Sequence, residues 1–143
     1  MITEESSLQP FEGIKPDTFR DHDERRINLI DGASNAENVP LGSLLVRARG
    51  LDVIVAVDGS ANTPQRWPNG SSILTSQRRV TSILQSSHQT FPPIPINEED
   101  FLATGVNQRP TFFGCNPRHP AEYPLLIYLP NSPPLNGDAP VSK

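Results

Sequence analysis

The chain has 143 residues, enough for one ordinary domain, and only 35% of them are hydrophobic, below the usual share for a globular fold. Its net charge of −4 argues against a nucleic-acid surface, and no stretch approaches the roughly 18 consecutive apolar residues of a membrane span. The single Cys115 excludes an internal disulfide and reads as a small buried hydrophobe.

Residues 1–25 read as a polar lead-in; Met1 to Pro10 carries acids and no apolar h-region, unlike a secretory signal. Asp21-His22-Asp23 has metal-binding residue types, but adjacent side chains do not generally converge on one ion. His22, His88 and His119 are isolated, so no metal site is expected. Arg26 to Asp31 reads as a strand through its short apolar run, and Gly32 permits a tight turn directly after the acid. A carboxylate at the carboxyl end of such a strand stands where open α/β sheets place catalytic groups, which makes Asp31 the candidate site residue. The competing reading is that Asp31 only braces the turn, since Asp-Gly is a common turn pair.

Leu41, Leu44, Leu45 and Ala48 fall at i, i+3, i+4 and i+7, one face of a helix with Asn38 as N-cap and Gly50 as its stop. Arg47 and Arg49 would sit near its C-terminus, where cations suit the macrodipole. Leu51 to Val57 is the most strand-like stretch, and its β-branched run suits a strand buried on both faces. Strand, helix and strand together make a βαβ unit. Asp58 is a second acid at a strand end, close to Ser60. Without the flanking glycines of a nucleophile elbow, both read as turn braces.

Trp67-Pro68-Asn69-Gly70-Ser71 is a turn by residue type and carries a sequon at Asn69. A second helix is expected over 72–88, buried through Ile73, Val80, Ile83 and Leu84. Phe91 to Pro95 forces an extended link, and Asn97 to Leu102 adds a helical turn. Short strands are expected at 111–115 and 125–129. The 16 prolines crowd into 92–95, 110–134 and the 135–143 tail, which marks a loop-rich second half. The low apolar content fits a piece of a larger fold.

Five motifs occur in one order: Ile30-Asp31-Gly32 with Asn38-Val39-Pro40-Leu41, Leu51 to Asp58, Trp67 to Ser71, Arg109 to Cys115, and Pro124 to Asn131. Together, over residues 26–134, they resemble the C-terminal part of the catalytic domain of fungal lysophospholipases (phospholipase B), relatives of the cytosolic phospholipases. The resemblance implies an α/β fold, a partial three-layer hydrolase-like mixed sheet with flanking helices. It implies a lysophospholipase that releases fatty acid through a Ser/Asp dyad without cofactor or metal, with lysophospholipid or phospholipid substrate met at a membrane or micelle surface. Asp31 takes the position of the family's aspartate, which would accept the serine's proton in a desolvated pocket. Family members are commonly secreted or membrane-anchored, a setting in which the Asn69 sequon would count.

Two departures from the pattern stand out. Ala33 replaces the family's second glycine, a restriction if that position needs positive φ. The nucleophile's G-x-S-G elbow is missing: Ser43, Ser60 and Ser71 each follow a glycine but lack the rest of it. The expectation is therefore a fragment that carries the acid without the serine and is inactive alone. The alternative is a fragment retained as a binding or interaction module.

Overall fold

The structure, a computed structural model, describes residues 5–8, 23, 25–29, 31–115 and 123–131. The chain divides into two compact units, residues 1–35 and 36–143. In the first, β1 (Glu5–Leu8) pairs antiparallel with β2 (Arg26–Leu29), Glu5 opposite Leu29 and Leu8 opposite Arg26. β1 lies within the expected polar lead-in; Glu-Ser-Ser-Leu has a single apolar residue and so no period-2 signal. Among the described residues β2 pairs with β1 while β3 belongs to a separate sheet, so the βαβ unit expected from 26–31 and 51–57 is not seen there.

In the second unit the expected 41–48 helix is replaced by two 3₁₀ turns, Leu41–Ser43 and Arg47–Arg49. The reason is tertiary: Leu45 C=O accepts Gln89 N–H at 2.7 Å and Arg47 N–H donates to Ser87 C=O at 3.0 Å. Backbone groups that a helix would use internally are spent on a bridge between Val46 and His88. The amphipathic spacing still holds in part, since Leu41 and Leu45 are buried while Ala48 is exposed.

β3 (Val53–Asp58) is followed by α1 (Ser71–Ser82) and α2 (Glu98–Ala103), then β4 (Thr111–Phe113) and β5 (Leu125–Pro130). α1 begins after Gly70, at φ 86°, where an added Cβ would lie 2.6 Å from the Phe101 ring; only glycine fits both the backbone and the contact. The helix stops earlier than the expected 72–88. Ile73 and Val80 are buried as foreseen, whereas Ile83, past the helix end, is 74% exposed. α2, in place of the turn expected over 97–102, is capped by Asn97, whose side chain accepts Asp100 N–H at 2.8 Å.

The sheet order is β3-β5-β4, with β3 parallel and β4 antiparallel to β5, so it is small and mixed, a partial α/β arrangement. Ile54 and Ala56 of β3, Leu126 and Tyr128 of β5 and Phe113 of β4 join Ile73, Val80 and Phe101 from the helices in one core. The Phe101 ring meets Tyr128 edge-on, centroids 5.6 Å apart. Contrary to the expectation of a strand buried on both faces, β3 alternates: Val53, Val55 and Val57 point outward and Val57 is 71% exposed. Phe112 shares that outward exposure, and Cys115 is exposed rather than buried. The 135–143 tail, His22 and His119 lie outside the described residues.

Candidate active site

Asp31 follows β2 closely and is exposed. Its C=O accepts Ser34 N–H at 2.9 Å, and Gly32–Asn35 form a 3₁₀ turn. Such turns use negative φ throughout, so Ala33 is accommodated without the strain its substitution for glycine had suggested. The left-handed residue of this region is Ala36, at φ 58°. The candidate acid thus stands at the head of a tight turn, in solvent rather than in a desolvated pocket.

Just beyond, in the second unit, residues 37–39 are clamped by α1. Ser72 Oγ accepts Val39 N–H at 2.7 Å, and Ser76 Oγ donates to Val39 C=O at 2.7 Å and to Glu37 Oε1 at 3.1 Å. Arg79 forms an ion pair with Glu37 from the next turn of the same helix. Serines at positions 72 and 76 share one helix face, which lets two hydroxyls serve the N–H and the C=O of one residue, Val39. The N–H and C=O of Val39 are thereby satisfied away from any sheet.

On the other side, Asn38 Nδ2 donates to Ser60 Oγ at 3.1 Å. Ser60 N–H donates to Asp58 Oδ1 at 2.9 Å, and the Tyr128 hydroxyl donates to Asp58 Oδ2 at 2.7 Å. Asp58 and Tyr128 are fully buried and Ser60 nearly so. Burial, then the hydrogen bond and the negative charge of Asp58, push the Tyr128 phenol pKa far above its usual range, so the proton stays on tyrosine. Asp58 and Ser60 are the turn braces the sequence suggested. The roles of Asn38, Ser72, Ser76 and Tyr128 carried no such signal, because an apolar-stripe reading passes over serine and counts tyrosine only as core.

The Asn69 side chain is structural: Oδ1 accepts Ser71 N–H at 3.1 Å and Nδ2 donates to Glu98 Oε2 at 2.7 Å. His88 is buried, its Nδ1 2.9 Å from Ser87 Oγ and 3.1 Å from Leu84 C=O. Among the described residues no group of three His, Cys, Asp or Glu side chains could hold a metal, and no helix is long and apolar enough to cross a membrane.

A family model described as the lysophospholipase catalytic domain matches residues 7–136. Lysophospholipase 2 of Aspergillus fumigatus is 45% identical over 108 residues, 75% of this chain and 18% of that protein. Lysophospholipase 3 of the same species is 40% identical over 126 residues, 87% of this chain and 20% of that protein. Lysophospholipase 1 of Saccharomyces cerevisiae is 44% identical over 109 residues, 73% of this chain and 16% of that protein. The chain thus spans a fifth or less of the length of these relatives. No solved structure matches it.

Proposed function

The chain belongs to the lysophospholipase catalytic-domain family, and on that premise we propose that it is the acid-bearing portion of a lysophospholipase, with residues 26–134 as the domain segment. The match over residues 7–136 carries the reading. Asp31 supplies the carboxylate of a Ser/Asp dyad. It accepts the proton of the nucleophilic serine, whose oxygen attacks the fatty-acyl ester carbonyl of a lysophospholipid at a micelle or membrane surface. The lysophospholipid's glycerol oxygen leaves with a proton, and water, activated by the same acid, then hydrolyses the acyl-enzyme to free fatty acid.

The serine comes from a segment these residues do not include, because no serine here lies in a G-x-S-G elbow. That segment would also desolvate Asp31. The outward apolar face of the sheet is where the outer layer of a three-layer domain would pack.

The purified chain is expected to release no fatty acid from lysophosphatidylcholine micelles. Mixed with the complementary portion of a fungal lysophospholipase, which bears the serine elbow, it should restore release, and Asp31→Asn should abolish that activity. Robust release by the chain alone, lost in Asp31→Ala, would refute the division. A second reading, a catalytically inactive binding module, is favoured by the missing elbow; failure of the mixture to hydrolyse lipid while the two parts still associate would select it.

A further inference from the structure

Beside the bridge that joins Val46 to His88 lies a cavity of about 120 Å³. Val80 and Phe91 give it apolar walls, while Arg47, Gln85, His88 and Thr90 bring polar side chains to it. Among the described residues on these walls Arg47 alone carries a permanent charge, and none is acidic. The volume is too small for a drug-sized ligand, which takes about 300 Å³ or more, yet several times the roughly 15 Å³ that a single water needs.

His88 is 7% exposed, and one of its nitrogens orients the ring. Nδ1 lies 3.1 Å from Leu84 C=O and 2.9 Å from Ser87 Oγ. A carbonyl can only accept, so Nδ1 carries a hydrogen and the neutral ring keeps its lone pair on Nε2. Nε2 has no partner among the described residues, and unlike the enclosed Trp67 Nε1, Gln89 Oε1 and Asn107 Oδ1 it retains accessible surface. Polar groups of buried residues are nearly always paired, so an open ring nitrogen beside a cavity calls for a partner from outside.

The backbone fixes its neighbours. Arg47 N–H donates to Ser87 C=O at 3.0 Å and Gln89 N–H to Leu45 C=O at 2.7 Å, which sets Arg47 alongside His88. The Arg47 guanidinium reaches Gln85 C=O at 3.5 Å, and its other donors, like the Thr90 hydroxyl, have no partner among the described residues. Gln89 is turned away, its Nε2 donating to Leu51 C=O at 3.3 Å.

We propose that this cavity binds the phosphoryl group of inorganic phosphate or of a phosphate monoester. Its oxygens accept from the Arg47 fork and the Thr90 hydroxyl, and one proton is held between a phosphoryl oxygen and His88 Nε2. A monoester can bring that proton near neutrality, since its second ionisation lies at about pH 6. A sulfate or a phosphodiester brings none and must meet a ring that is already protonated. The assignment is independent of the hydrolase reading, because Asp31 does not line this cavity.

The ring nitrogens of the ¹⁵N-labelled full chain read the contact directly, with His88 told from the other two histidines by the variants His22→Gln and His119→Gln. The chain would be titrated at neutral pH with inorganic phosphate, glycerol 3-phosphate, glycerophosphocholine and sulfate. A saturable shift of His88 Nε2 with phosphate is expected, weakened about ten-fold by Arg47→Gln and roughly three-fold by Thr90→Val, both exposed positions. An equal response to glycerol 3-phosphate would support the proposal with a monoester headgroup as the ligand; a response to phosphate alone would support it with the free anion. No saturable shift with either, sulfate or glycerophosphocholine bound as tightly as phosphate, or an affinity unchanged in Arg47→Gln would overturn it.

Discussion

The Tyr128 hydroxyl meets a buried carboxylate, Asp58 Oδ2, at 2.7 Å, in a core otherwise built from aliphatic and aromatic side chains. A hydrogen bond to a charged group contributes about 1.5–3 kcal/mol, and its removal leaves Asp58 with a lone pair unserved. Tyr128→Phe should therefore lower unfolding free energy by about 2 kcal/mol in urea titrations at neutral pH. The pH dependence reports the phenol as a whole, held protonated first by burial and then by the bond and charge of Asp58. Because the folded phenol holds its proton more tightly than the unfolded one, whose pKa is about 10, the contribution is complete below that pH. It is lost as pH rises further, by up to about 1.4 kcal/mol per unit. The wild-type chain should lose stability more steeply than Tyr128→Phe above about pH 10; parallel curves would show that the folded chain does not hold the phenol proton more tightly than the unfolded one.

At the scale of elements, the sequence was legible where one periodicity dominated and local chemistry agreed with it. β3 and β5 follow from β-branched and aliphatic runs and α1 from its apolar stripe, while α2 answers to the helical turn expected over 97–102. It was illegible where tertiary hydrogen bonds overrode a real pattern. Residues 41–48 do bury Leu41 and Leu45, yet the strand-like bridge to residues 87–89 captures Leu45 C=O and Arg47 N–H. The clamp on residues 37–39 was hidden for a related reason, since its donors and acceptors are serines on the inner face of a helix. Ser76→Ala should cost about 1 kcal/mol, because it removes the hydroxyl that serves Val39 C=O and Glu37 Oε1 while Leu41 N–H stays on that carbonyl. Ser82→Ala, an exposed position on the same helix, should stay within about 0.5 kcal/mol of wild type. Thermal or urea unfolding distinguishes the two; equal effects would mean that the clamp contributes nothing.

For the molecule as a whole, the turn carrying Asp31 was readable from Asp-Gly after an apolar run, whereas its solvent exposure was not, because burial depends on whatever packs around it. The same dependence governs the sheet. One face is sealed by the helices; the other leaves Val53, Val55, Val57 and Phe112 in water, over a row of half-buried Leu125, Ile127 and Leu129. The register places Val55 beside Ile127, and Ile127 beside Phe112, so these side chains form one continuous apolar surface across all three strands. Sheets with parallel pairing are ordinarily covered on both faces, and contiguous apolar patches of this kind mark interfaces or aggregation sites. In solution without a covering layer, copies of the chain are expected to cover one another. Sedimentation velocity should show association that grows with concentration. The double substitution Val55→Thr with Phe112→Thr, which keeps residues favoured in strands while making the surface polar, should shift the chain toward monomer with little change in its melting temperature. A wild-type chain that stays monomeric across the accessible concentration range would mean that this face is not adhesive, and would remove the main physical support for an outer helical layer over it.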